Sequence, residues 1–156
     1  MTADFMAVPQ NLEAEQSVIG GLLLDDDNSE RVQKVLAMLK PESFYSRPHQ
    51  LIFAEMRQMF RENKPVDGLT LFDALEGKGL AEQVGGFAYL AEIAKNTPSA
   101  ANIVAYAASV REAAMERYGI NRLTEATELL YSRNGMSATQ KYEAIQGIFT
   151  QLADHS

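Results

Sequence analysis

Several residue groups in this sequence have the types that chemistry uses. Asp25-Asp26-Asp27 is a run of carboxylates, the material of a cation site or a shared proton. Neighbours on a turn point in different directions, however, so the run reads as a solvated helix-to-helix loop that supplies a cap. His49, near Glu42 and Glu55 in sequence, could be a general base; in the first turn of a helix it reads as a locally hydrogen-bonded or partly buried histidine. His155, near the chain end, reads as solvated. Gly77-Lys78-Gly79 lacks the spaced upstream glycine and the following Ser or Thr of a phosphate loop, which leaves a helix C-cap. Gly85-Gly86 follows no strand and reads as a turn. Arg111, Arg117, Arg122 and Arg133 could form a basic track, but Glu112, Glu116, Glu125 and Glu128 interleave with them, as on a solvated helix face. Met38, Met56 and Met59, with Phe44, Tyr45, Phe53 and Phe60, sit at helical spacing and read as core.

The bulk composition narrows the classes further. The chain has 156 residues, about one domain or a small domain with an appendage. Lys and Arg number 14 against 21 Asp and Glu, a net charge of −7 that opposes strong binding of nucleic acid or an anionic membrane by the chain alone. Cysteine is absent, which removes disulfides, thiolate nucleophiles and sulfur metal sites, and two histidines are too few for an ordinary zinc site. Asp4 stands where a leader would be basic, and no apolar run approaches ~20 residues. A cytoplasmic location is expected.

The elements that would position any site are helical throughout, and the expected fold is all-α. Asn11 caps a helix from Leu12 to Leu24, and a second runs from Ser29 to Leu39 and stops at Pro41. A third starts behind Ser46 and buries Ile52, Phe53, Met56, Met59 and Phe60 before Asn63 and Pro65. Thr70 to Asp73 has the form of a capping box. Phe87, Leu90, Ala91 and Ala94 suggest a further short amphipathic stretch before Thr97-Pro98.

From Ala100 to Arg133 there is no proline and a single glycine, Gly119. One helix from about Asn102 to Arg133 would be about 48 Å long, against about 34 Å for a globule of the first hundred residues, so it must protrude or break. Ile103, Ala107, Val110 and Ala114 share one face, whereas Leu123, Ala126 and Leu130 lie on the opposite one. Asn134-Gly135 makes a turn, Ser137 to Gln140 is a capping box, and Tyr142, Ile145, Phe149 and Leu152 form a heptad-like seam. The expected organisation is a tail over 1–10, a helical globule over 11–100, and over 101–156 a long helix ending in an antiparallel hairpin. Two helices leave their flanks wet, so the expected interface with a second copy comprises Gly119, Leu123, Ala126, Leu130, Tyr142, Ile145, Phe149 and Leu152. Arg117, Arg122, Tyr131 and Arg133 are the candidates for docking another partner.

The ordered set VPQNLEAEQSVIGGLL from Val8, Phe44-Tyr45 with Pro48-His49, Pro65-Val66-Asp67 with Thr70-Leu71, the Gly85 to Leu90 segment, and Ser99 to Ile103 with Tyr106 and Val110 to Glu112 resembles the N-terminal domain of DnaB-type hexameric replicative DNA helicases. The resemblance covers roughly Val8 to Arg117. It implies a helical globule with a hairpin that pairs between subunits, six such domains forming a collar, often a trimer of dimers, over a ring of ATPase domains. The collar admits DNA through its centre, and primase and in some systems a loader dock on it.

The resemblance also implies a parent protein that is an ATP-dependent 5′-to-3′ helicase in a bacterium or a phage-infected one, with this chain not itself an enzyme. No cofactor is expected here, ATP and magnesium belonging to an ATPase domain whose linker would begin just after Ser156. The chain is then an excised collar module; the competing expectation is a stand-alone regulator that binds a resident helicase through the same hairpin.

Overall fold

A computed structural model describes residues 7–155; Asp4, the first part of the expected tail and Ser156 lie outside them. Among the described residues every regular element is a helix: α1 (Leu12–Leu24), α2 (Glu30–Met38), α3 (Arg47–Arg61), α4 (Gly68–Gly77), α5 (Gly86–Asn96), α6 (Ile103–Tyr131) and α7 (Ala138–His155). The chain forms two compact units. One is Gln10–Glu112; the other gathers 113–155 with the described tail residues 7–9, so the boundary falls inside the unbroken helix α6.

Side-chain caps set the helix starts. The Asn11, Ser29 and Ser46 side chains accept hydrogen bonds from Ala14, Val32 and His49 N–H. The capping box expected at Thr70 to Asp73 is displaced by one turn: Asp67 accepts from Thr70 N–H at 2.9 Å, the Thr70 hydroxyl accepts from Asp67 N–H at 2.9 Å, and α4 begins at Gly68. Thr70 fits either box by spacing, but an Asp N-cap whose N3 hydroxyl answers it satisfies two orphan donors. Helix α5 is also longer than its apolar pattern suggests, running 11 residues, with Leu90 and Ile93 buried and Phe87 turned outward.

In the globule α1 packs on α3 and α5, and α4 joins α3 to α5. The centre is Ile19, Leu22, Phe53, Met56, Leu71 and Leu90, closed by Ile103, Ala107 and Val110 from the first part of α6. Tyr45, expected in this core, is exposed. Gly20 and Gly21 explain the paired glycines of α1. A Cβ on Gly21 would stand 1.9 Å from Ile103 Cγ2, and one on Gly20 would stand 1.9 Å from Thr97 Oγ1. Any larger residue would push α1 off the α5–α6 connection.

Candidate functional site

Two places concentrate side chains that could act. The first is a buried chain of polar groups in the globule. Glu15 on α1 is buried, and its carboxylate accepts from Tyr45 N–H at 2.7 Å and Ser46 N–H at 3.3 Å, at the N-terminus of α3 where the helix dipole favours an anion. Glu15 Oε1 also lies 2.8 Å from His49 Nδ1, and His49 Nε2 lies 2.6 Å from the Tyr89 hydroxyl on α5. Gln16 donates to that hydroxyl at 3.1 Å. The proton assignment that satisfies every partner has Nδ1–H donating to Glu15 and the Tyr89 hydroxyl donating to Nε2. Every polar atom of carboxylate and imidazole then has a protein partner. The expected neighbours of His49, Glu42 and Glu55, are replaced by residues 34 and 40 positions away. Glu55 instead pairs with Lys78 at 2.6 Å.

The remaining polar candidates do structural work. Asp25 accepts from Arg31 Nε and Nη2, at 3.0 and 3.1 Å, and from the Ser29 hydroxyl at 2.9 Å. Chiefly the Arg31 hydrogen bonds hold its carboxyl at about 2, below the usual 3.8. Asp26 accepts from Asn28 N–H at 3.0 Å and Asp27 from Val66 N–H at 3.0 Å, so the three carboxylates serve three separate tasks. Lys78 is the C-cap of α4, and Gly79, at φ 73°, takes the left-handed conformation that glycine allows. Among the described residues no group of three His, Cys, Asp or Glu could hold a metal ion, and no helix is long and apolar enough to cross a membrane.

The second place is the hairpin. Lys141 Nζ, buried, donates to Ser132 O at 2.5 Å and reaches Leu130 O at 3.5 Å, capping the C-terminal end of α6 with a cation. Arg122 bonds to Glu125 on its own helix and to Gln151 on α7, and Tyr118 stacks on His155 with ring centroids 3.8 Å apart. His155 is thus exposed but stacked, not simply solvated. These contacts make the two helices antiparallel and fix their register.

The seam between the helices runs through Arg122, Ala126 and Leu129 on α6, and through Lys141, Ile145, Ile148 and Leu152 on α7. The sequence pattern puts Tyr142 and Phe149 on this seam, yet they face outward, 63% and 57% exposed, while Ile148 is buried. On α6, Leu123 (42% exposed) and Leu130 (45%) also face outward, whereas Ala126 is covered by its own chain. Each outward stripe lies roughly a quarter turn past the seam in the winding direction of its helix. Antiparallel helices wind in opposite senses seen from one end, so both stripes turn to the same side of the hairpin. In the observed register Leu123 is level with Phe149 and Leu130 with Tyr142. The result is a face of two apolar rungs one heptad apart, with Ile120 beside it also exposed.

Gly119 is half-buried on α6. Of the four docking candidates, Arg117 donates to Pro9 O at 2.9 Å and Arg122 is held in the seam, while Tyr131 and Arg133 stand exposed near the hairpin tip.

Residues 7–112 match the family described as the DnaB-like helicase N-terminal domain, a span that ends where the globule ends. The chain belongs to that family. It is 44% identical over 128 residues to the replicative DNA helicase DnaB of Pasteurella multocida, covering 82% of this chain and 27% of that protein. It is 42% identical over 135 residues to the Haemophilus influenzae DnaB, covering 86% and 28%. The chain therefore spans little more than a quarter of these DnaB relatives. Its fold superposes on the N-terminal domain of DnaB helicase from Mycobacterium tuberculosis with a TM-score of 0.85 at 31% identity, covering 93% of this chain and 99% of that one. A DnaB-like replicative helicase described with its interactions with primase shares the fold at a TM-score of 0.73 and 23% identity, over 91% of this chain and 31% of that one. The polar chain of the globule, Glu15, Tyr45, His49 and Tyr89, lies wholly within the residues matched to the family.

Proposed function

We propose that this chain is the collar module of a replicative DNA helicase, without catalysis of its own. It pairs with a second copy through the apolar face of its hairpin, and six such domains form a ring that docks primase, and in some systems a loader, in the bacterial cytoplasm. The parent protein unwinds DNA 5′ to 3′ with ATP and magnesium bound to a separate ATPase domain. DNA is met through the assembled ring and not by the isolated domain. Gly119, Ile145 and Leu152 flank the pairing face, Ala126 supports it from beneath, and Tyr131 and Arg133 are the exposed candidates for partner docking.

The observation that carries this reading is the pair of rungs, Leu123 with Phe149 and Leu130 with Tyr142, on one side of a two-helix element. Covering the exposed half of each such side chain contributes about 1 kcal/mol. Across a two-fold contact that is about 8 kcal/mol gross, against an association cost of at least ~4. A concentration-dependent dimer is the expected result.

Leu130→Asp or Phe149→Asp places a charge twice in a symmetric contact, and analytical ultracentrifugation should find monomers whose circular dichroism is unchanged. A wild type that stays monomeric at high concentration, or folded variants that assemble normally, would remove the hairpin from the contact.

A further inference from the structure

The groove between α2 and α3 is positively charged in a chain of net charge −7. It has two adjoining lobes of about 300 and 310 Å³ that share Gln33 and Phe60. Arg57 and Arg61 line one lobe and Lys64 the other. Residues 57, 60 and 61 stand at i, i+3 and i+4, so α3 presents both guanidinium groups and the Phe60 ring along one face. Phe60 and, across the groove, Leu36 are half-buried against the core, leaving an apolar floor.

Neither Arg57 nor Arg61 has an ion-pair or hydrogen-bond partner among the described residues. By contrast Lys64 has Glu62 at 3.6 Å, and Asp27, the acid in the groove wall, already accepts from Val66 N–H. Two unpaired guanidinium groups beside an apolar floor are therefore recognition chemistry that the globule itself does not use.

We propose that this groove docks a short acidic segment of a partner protein, one apolar side chain seated on Phe60 and Leu36 and flanking carboxylates on Arg57 and Arg61. Guanidinium groups grip carboxylates through paired hydrogen bonds, which suits a discrete acidic motif. A nucleic acid strand fits less well. It needs cations repeated along several nucleotides and open ring faces for stacking, whereas the groove offers three cations and a ring set into the core, in a chain that repels phosphate at long range.

The test is an amide-resonance NMR titration of the whole chain with a short peptide of aspartates and glutamates around a central Leu-Phe pair. Its arms are the same peptide with lysines in place of the acids, and an oligothymidine of matching length. The acidic peptide should shift resonances of α2 and α3, with affinity falling about tenfold or more in Arg57→Glu/Arg61→Glu. Both substitutions are outside the core, and the lysine peptide should bind that variant in preference to the wild type. Absence of acidic-peptide binding, shifts elsewhere in the chain, or indifference to the charge reversal would overturn the proposal. Tighter binding of oligothymidine with the same arginine dependence would also overturn it, in favour of a nucleic acid site.

Discussion

The globule and the hairpin use the same helical grammar to opposite ends. In Gln10–Glu112 most large apolar residues are turned inward, Tyr45, Leu69 and Phe87 being among the exceptions, and the buried polar groups Glu15 and His49 have all their partners inside the unit. In the hairpin, the buried set of Ala126, Lys141 and Ile148 is modest, and the larger side chains Leu123, Leu130, Tyr142 and Phe149 remain outside. A two-helix element has too little surface of its own to cover an apolar face more than about a third of a turn wide on each helix. The globule closes its core within its own unit, while the hairpin leaves its larger apolar side chains in solvent.

Removing Glu15 should have the largest effect, because it attacks the completeness of the globule. Glu15→Ala leaves His49 and two N–H groups at the start of α3 buried without their acceptor, a loss of about 3–5 kcal/mol. Urea denaturation should show it as a large drop in the midpoint; a loss below about 1 kcal/mol would mean the polar chain is incidental to stability. Lys141→Ala attacks the hairpin alone. It deletes the cation on the last carbonyls of α6 and should cost about 1–2 kcal/mol. Hydrogen exchange should quicken at α7 and the end of α6 while globule amides are unaffected, and equal acceleration in both units would deny their independence.

The smallest expected effect concerns Arg31, half-exposed beside Asp25. The folded-state value of Asp25 is depressed, so its contribution is present above 3.8 and is lost as pH falls through about 2. Arg31→Ala should raise the Asp25 titration toward 3.8 in a carbon-detected NMR experiment. The stability difference from wild type should then fade in acid; an unmoved titration would show that Ser29 and the Asp26 N–H suffice.

Much of this was legible from the sequence, for physical reasons that differ by element. Helix starts at Asn11, Ser46 and Ser137 were legible because a cap is a local hydrogen bond. The Asp67 cap was missed because Thr70 satisfies the spacing rule both as N-cap and as N3. The hairpin seam was displaced by one position because Tyr142-Ile145-Phe149-Leu152 and Lys141-Ile145-Ile148-Leu152 have equally good heptad spacing. The second prevails because the Lys141 stem packs in the seam while its ammonium reaches the α6 carbonyls, leaving the aromatic residues out. The partners of His49 were illegible to any local rule. The one signal that touches them is the resemblance to the DnaB-type domain, whose segments contain Glu15, His49 and Tyr89. The basic character of α3 was hidden by the chain's overall acidity.

The spacing of that polar chain along the sequence also bears on how the domain folds. Glu15 is 34 residues from His49, and His49 is 40 from Tyr89, so three helices must already be docked before the carboxylate, imidazole and phenol can meet. The entropy of closing those loops is spent before the contact gives anything back. An interaction made that late is expected on the native side of the folding barrier, and a φ-value near zero for Glu15→Gln would check it. It does little to hasten the search for the fold, and acts instead by slowing its undoing, lengthening the lifetime of each folded copy.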